Sequence, residues 1–166
     1  MDERQKLQKL FVFDLWSTHK LVDVCREQSP FEEEEACVSL LSHVINAQKI
    51  WFSRVVEISA DRDLDIWTKY DSGELKRKAK KANQAWIDLI GDHEVDLDNL
   101  VKYKNSKGAE YYNSIWEICN HLIIHGQHHR AQIALFLKNS GIEPPLLDYA
   151  HYTRTDTIRQ KMVQNG

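Results

Sequence analysis

The sequence predicts an all-α protein, a four-helix bundle with a short loop or β-hairpin between helices three and four. Only 6 glycines and 3 prolines interrupt 166 residues, which favours long elements with few turns. Apolar residues recur at steps of three and four in four long segments, the period of a helix with one buried face. The length and the apolar content of 42% suit one globular domain, predicted over residues 1–166.

The first two helices follow from periodicity and from capping signals. Helix one is predicted over residues 3–27, where apolar side chains lie on one stripe. Helix two is predicted to start at Ser29 as N-cap, with Pro30 in the first turn and Glu32 completing a capping box. It is expected to run to Ile58, with the acidic residues 32–35 at the positive end of its dipole.

Capping boxes also mark the other two helices. Asp71 and Glu74 predict the start of helix three, which is expected to extend to Ile90. Residues 91–112 alternate in short pieces, which indicates a loop or a short β-hairpin. Ser114 and Glu117 predict the start of helix four, whose end is expected near residues 139–141 because a glycine there suits a C-cap.

Composition excludes several classes of function. The net charge is −3 and the basic run Lys76–Lys81 contains no aromatic residue, so we expect a solvated helix face and no nucleic-acid partner. Cys25, Cys37 and Cys119 form no Cys-x-x-Cys pair, which argues against a disulfide framework and favours a reducing cytoplasm. No apolar stretch approaches the roughly 18 to 20 residues of a membrane span, so no membrane association is expected. Phosphate loops and dinucleotide fingerprints are absent from the sequence.

Helix four carries four histidines within nine residues, at positions 121, 125, 128 and 129. His125 and His129 are four residues apart, so they lie about 40° from each other around the helix and can reach one ion. Both fall on the predicted core-facing seam. Burying imidazoles there without partners would cost roughly 1 to 3 kcal/mol for each group. A bound metal ion would satisfy them. The seam consists of Ile118, Leu122, His125, His129, Gln132 and Phe136.

His43 is a candidate third ligand, because it is a polar residue on the apolar stripe of helix two. Three neutral imidazoles around Zn²⁺ or Ni²⁺ would leave one coordination position open, as in catalytic sites, where a bound water could ionise near neutral pH. Two alternatives stay open at this point. His43 could be a hydrogen-bonded core histidine, or a fourth protein ligand such as His121 could close the site into a structural one.

The neighbouring side chains are assigned simpler roles. His121 and His128 point to either side of the seam, which favours positions beside the site or on the surface. Arg130 is expected to pair with a carboxylate or with a neighbouring subunit. Trp51, about two turns after His43, could line a pocket. The His-Glu-x-x-His arrangement of metalloproteases is absent, since no glutamate lies between His125 and His129.

Residues 121–132, HLIIHGQHHRAQ, resemble the helix-four signature of the DinB/YfiT-like family of metalloenzymes. The pair His43 and Trp51 is similar to the family's helix-two histidine, which is followed by an aromatic about eight residues later. Gly141 and the following prolines also match the pattern, whereas Ala131 stands where the family more often has glycine.

The resemblance implies an up-down-down-up four-helix bundle, commonly a homodimer, with nickel or zinc held by His43, His125 and His129. It also implies a small-molecule substrate, since some relatives are transferases or isomerases that use a low-molecular-weight thiol. We therefore expect a metal-dependent S-transferase or a related transferase or hydrolase. The alternatives are a non-enzymatic metal-stabilised dimer, a stress-related binding module, or a metal-free bundle, because function does not follow from fold.

Overall fold

The computed structural model describes residues 1–59, 61, 63–104 and 107–154, and it is mostly helical with one small sheet. The long helices are α1 (Glu3–Gln28), α2 (Glu34–Val55), α3 (Leu75–Gly91) and α4 (Ile115–Asn139), and the strands are β1 (Leu100–Lys104) and β2 (Glu110–Ser114). Residues 149–154 are also helical. The predicted helical class is thus confirmed. Of the two alternatives predicted before helix four, a loop or a short β-hairpin, the structure has the hairpin.

The four long helices share an apolar core. Helix α1 packs mainly against α3 and α4, and α2 packs mainly against the same two helices, so α1 and α2 lie diagonally opposite. One group of buried side chains includes Leu21, Leu41 and Leu137, and a second includes Phe11 and Trp86. None of the described helices carries an apolar stretch long enough to cross a membrane.

Helix α4 begins where its capping box predicts. The Ser114 hydroxyl accepts a hydrogen bond from the Glu117 backbone N–H at 3.1 Å, and the Glu117 carboxylate accepts one from the Ser114 N–H at 2.9 Å. The helix ends at Asn139, and Gly141 follows with a positive φ of 75°. A glycine adopts this left-handed conformation without steric cost, which makes it a frequent residue after a helix end.

The predicted start of helix two is wrong by about one turn. Ser29 is the C-cap of α1, and its hydroxyl donates a hydrogen bond to the Glu34 carboxylate at 2.8 Å instead of accepting one from the next helix. Helix α2 begins at Glu34 with no side-chain cap. It ends at Val55, short of the predicted Ile58, because Glu57 adopts a φ of 55° that is incompatible with a right-handed helix.

The predicted start of helix three is also too early. The Glu74 backbone N–H donates to the Asp71 carbonyl at 2.8 Å, which closes a separate turn before the helix. The Glu74 carboxylate binds the Arg77 guanidinium at 2.5 Å, so it does not reach back to cap the helix. Helix α3 therefore starts at Leu75.

The two strands form an antiparallel hairpin that leads directly into α4. Leu100 pairs with Ser114 and Tyr103 pairs with Tyr111. Val101 is buried against the core, whereas the other side chains of β1 are exposed or half-buried. The hairpin thereby fixes Ser114 at the N-terminus of the helix that carries most of the histidines.

Candidate metal centre

Three histidines from two helices meet at one point. His43 lies on α2, and His125 and His129 lie one turn apart on α4. The Nε2 atom of His125 is 3.1 Å from Nε2 of His43 and 3.1 Å from Nε2 of His129. The ligand atoms of all three side chains lie within 4.8 Å of one another, so together they could hold a metal ion.

The nitrogen spacing fits the coordination chemistry of a divalent ion. Zinc–imidazole bonds are about 2.0 to 2.1 Å long. Two such bonds at angles of about 90° to 109° place their nitrogens about 2.8 to 3.4 Å apart. Both measured separations from His125 Nε2 fall in this interval.

The environment keeps these imidazoles neutral. Burial, together with charge repulsion from the neighbouring His129 and His43, lowers the pKa of His125 to about 4. Burial also lowers the pKa of His43 and of His129. A metal ligand must present a free lone pair, which only the neutral imidazole has. Near neutral pH the cluster therefore offers nitrogen lone pairs rather than positive charge.

Two further side chains orient the histidines. The Gln132 side-chain oxygen accepts a hydrogen bond from Nδ1 of His129 at 2.7 Å, which places the proton on Nδ1 and leaves Nε2 free for a metal. The Trp67 ring stacks on the His43 ring with centroids 4.1 Å apart. The sequence pattern places Gln132 on the predicted seam but does not indicate that it binds His129. Its spacing of three residues from His129 is compatible with the hydrogen bond to Nδ1. Trp67 lies in a connection without helical periodicity, so the sequence does not predict its contact with His43.

The nitrogens that face away from the cluster are only partly satisfied. Nδ1 of His43 and Nδ1 of His125 are buried and have no hydrogen-bond partner. The Ile66 carbonyl lies close enough to raise the pKa of His43 slightly against the effect of burial, but it is outside hydrogen-bond geometry. The Nε2 atoms, which all point to one centre, are thus the side of these rings that a ligand would occupy.

The depth of the α4 histidines differs from the prediction. His43 is buried, with 6% of its surface exposed, but His125 and His129 are only half-buried and Gln132 is exposed. They flank the core instead of facing its centre, because the fully buried face of α4 lies beside them and packs against both α1 and α2. That face consists of Ile115, Ile118, Cys119, Leu122, Gly126, Arg130, Ile133 and Leu137.

A buried polar network occupies the centre of the helices beside the histidines. Arg130 pairs with Asp14 at 2.6 Å, and both side chains are at most 1% exposed. Gln48 donates to the other Asp14 oxygen at 2.8 Å, and Asn83 donates to the Gln48 oxygen at 3.1 Å. The network therefore takes one residue from each long helix, and a carboxylate partner for Arg130 is confirmed.

Gly126 makes room for this ion pair. A Cβ atom at this position would lie 2.7 Å from the Asp14 oxygen Oδ1 and 2.9 Å from the nearer Arg130 nitrogen. Both separations are shorter than a van der Waals contact. The absence of a side chain at residue 126, between the two histidines of α4, lets Asp14 of α1 approach the helix.

The other two histidines of α4 lie outside the cluster. His121 and His128 are exposed, and neither contributes a nitrogen to it. The His121 ring lies between the rings of Trp51, at 5.7 Å, and His125, at 5.6 Å. The His128 ring is 5.1 Å from that of His129. Their predicted positions beside the site or on the surface are confirmed.

The model of the DinB family matches residues 6–162, which include most of α1, all of α2, α3 and α4, and the three clustered histidines. The chain belongs to the DinB family. It matches none of the curated proteins and none of the solved structures. The resemblance carried by residues 121–132 is thus confirmed, and DinB membership together with the histidine cluster is compatible with a metal-binding site.

Proposed function

We propose that this DinB-family protein is a divalent-metal-dependent enzyme in which His43, His125 and His129 hold Ni²⁺ or Zn²⁺. The observation that carries the proposal is the convergence of three Nε2 atoms, with spacings of 3.1 Å from His125 to each neighbour. Held by three neutral imidazoles, the ion would supply Lewis-acid chemistry, lowering the pKa of a thiol or a water at its open position. The reaction class is a thiol-dependent S-transfer or a related transfer or hydrolysis of a small molecule.

The protein's own groups support an open rather than a closed site. Among the residues that the structure describes, no carboxylate or thiol joins the three nitrogens. Three protein ligands leave room for an exogenous one, the pattern of catalytic sites. Gln132 fixes the tautomer of His129, and Trp67 covers one face of His43, while the half-buried positions of His125 and His129 leave access from solvent.

The proposal extends to the architecture and the assembly. The four long helices, each packed mainly against two others around a common core, support a DinB-type four-helix bundle. We propose that residues 1–166 form a single domain and that the protein is a homodimer, with a low-molecular-weight thiol as one substrate. Size-exclusion chromatography with light scattering measures the assembly directly.

The metal assignment is tested by removing single ligands. In protein purified without chelator, we expect about one nickel or zinc ion per wild-type chain. Loss of that ion is expected in His125→Ala and in His129→Ala, because two imidazoles cannot replace three. His128→Ala, which removes an exposed histidine next to His129, is the matched control and should keep the ion. Full metal retention in His125→Ala and His129→Ala would overturn the site, and elemental analysis reads it out.

The enzymatic role is tested separately by coordination and activity. X-ray absorption of the loaded protein should show three imidazoles and at least one non-protein ligand. A screen of small thiols against electrophiles should then give turnover that His125→Ala lacks. Four protein ligands and no turnover would instead support the non-enzymatic metal-stabilised dimer or binding module.

A further inference from the structure

A second polar feature lies towards the C-terminal end of α2, where the helix meets the hairpin. An open cavity of about 770 Å³ is found there. Arg54, one of its lining residues, follows His43 by 11 residues, which is about 16 Å along the axis of α2. The cavity is therefore separate from the histidine cluster. Its polar lining includes Arg54, Glu57, Asn99, Lys102, Tyr103 and Glu110.

Two aromatic rings hold the guanidinium of Arg54 in place. Its central carbon is 4.6 Å from the centroid of the Trp51 ring and 5.5 Å from that of Tyr103. The two rings lie 4.7 Å apart at an angle of 74°, so the half-buried guanidinium sits in the corner between them. Contacts of this kind attract the cation and restrict the plane of the group.

Arg54 is the cation of this cavity that has no ion pair with a described carboxylate. Lys102 and Lys104 share the Glu110 carboxylate, at 3.0 and 3.9 Å. Burial lowers the pKa of Arg54, and no described carboxylate raises it, yet the guanidinium stays charged at physiological pH. The lining holds three cations and two carboxylates, a local charge of +1 in a chain of net charge −3. An anionic ligand would compensate the half-buried charge.

We propose that this cavity, the Arg54 cavity, binds a small molecule that carries a carboxylate next to a planar apolar group. A guanidinium recognises a carboxylate through two parallel hydrogen bonds, a geometry that a preoriented arginine favours. The lining also has an apolar part, formed by Val55, Val101 and Ile115 together with the Tyr103 ring. This apolar part would contact the planar group. None of the three clustered histidines lines the cavity, so the binding site is distinct from the proposed metal site.

The probes that test this site are benzoate, benzamide and inorganic phosphate. Benzamide has nearly the shape of benzoate but no charge, and phosphate has charge but no apolar group. In two-dimensional ¹H–¹⁵N NMR of the full chain, benzoate should shift the Arg54 Nε–H and Trp51 indole signals saturably. We expect benzamide to bind at least about tenfold more weakly, because a hydrogen bond to an ionised group contributes about that factor. Phosphate should also bind at least about tenfold more weakly, because it buries no apolar surface against the apolar part of the lining.

Variants at residue 54 distinguish bidentate recognition of the carboxylate from simple attraction by a positive charge. Arg54→Gln should weaken benzoate binding about tenfold or more, and Arg54→Lys should fall between this variant and the wild type because it keeps the charge but loses the planar fork. Arg77→Gln, which removes an exposed arginine of α3, is the control and should bind benzoate like the wild type.

Several results would overturn the proposal. Absence of saturable benzoate shifts, or benzoate binding that is unchanged in Arg54→Gln, would show that Arg54 has only a packing role. Equal binding of benzamide would identify an apolar cavity without carboxylate recognition, and preferential Arg54-dependent binding of phosphate would identify a different anion. If Arg54→Gln does not fold, wild-type benzoate affinity in Arg54→Lys would contradict bidentate recognition.

Discussion

The imidazole of His125 connects the proposed metal site to stability. Its pKa is about 4 in the folded protein, against 6.5 for an unperturbed histidine. Between these values the unfolded chain binds more protons, so the unfolding free energy of metal-free protein should fall as the pH is lowered from about 6.5 to about 4. Above pH 6.5 this contribution is fully present.

Urea denaturation at several pH values measures this dependence. His125→Gln should flatten the decline, since glutamine does not titrate, whereas His93→Gln, at an exposed position outside the cluster, should keep the wild-type slope. Equal slopes in His125→Gln and in the wild type would contradict the role assigned to burial of this ring.

The candidate ligands were predictable because two of them share one helix. The spacing of His125 and His129 alone places them on one face of α4, and His43 interrupts an apolar stripe. Their depth could not be predicted, since helical periodicity shows which side chains share a face but not which neighbouring helix approaches it. The contact of Trp67 with His43 depends on the path of a connection, and no local pattern encodes that path.

Helix α4 depends on the missing side chain at residue 126. Gly126→Ala should lower the unfolding free energy by about 1 to 3 kcal/mol, because the added methyl group displaces the Asp14–Arg130 pair. Alanine has a better helix propensity than glycine, worth about 1 kcal/mol, which opposes this loss. The expected loss is the net value after this gain.

Chemical denaturation of Gly126→Ala beside Gly73→Ala tests this expectation. A Cβ atom at Gly73 would meet no atom within 4 Å, so that variant should have nearly wild-type stability. A Gly126→Ala protein more stable than the wild type would show that α1 and α4 separate at little cost.

Helix boundaries were predictable where the capping side chain bonds to its own turn. At the start of α4, the Ser114 hydroxyl and the Glu117 carboxylate each accept a hydrogen bond from the other's backbone N–H, and the prediction there is confirmed. The Asn113 side chain also donates to the Glu117 carboxylate, without displacing the capping bond. At the starts of α2 and α3 the predictions are wrong, because the Ser29 hydroxyl and the Glu74 carboxylate have other partners, Glu34 and Arg77. A capping pattern in sequence does not show such competition.

Two helices that are far apart in sequence, α1 and α4, should be coupled by the Asp14–Arg130 pair. Arg130→Met leaves a buried carboxylate unpaired and should cost about 3 to 5 kcal/mol, as should Asp14→Leu. The double variant should lose much less than the sum of the two single losses, since no unpaired charge remains.

A double-mutant cycle by urea denaturation measures this coupling energy. The exposed pair Arg77 and Glu74, treated with the same kinds of substitution, is the control and should give a coupling of at most about 1 kcal/mol. Additive losses at residues 14 and 130 would contradict the coupling.

The buried network also bears on which packing of the helices is selected. A slide of α4 by one turn, about 5.4 Å, would bring apolar side chains to nearly equivalent places and change the hydrophobic contacts little. The same slide would part Arg130 from Asp14 and leave two charges without partners in the interior. Contacts between leucine and isoleucine side chains do not distinguish the observed position of α4 from the shifted one, whereas the ion pair of Arg130 does. The height at which His125 and His129 face His43 is therefore set by a charge pair that lies beside them, on the buried face of α4.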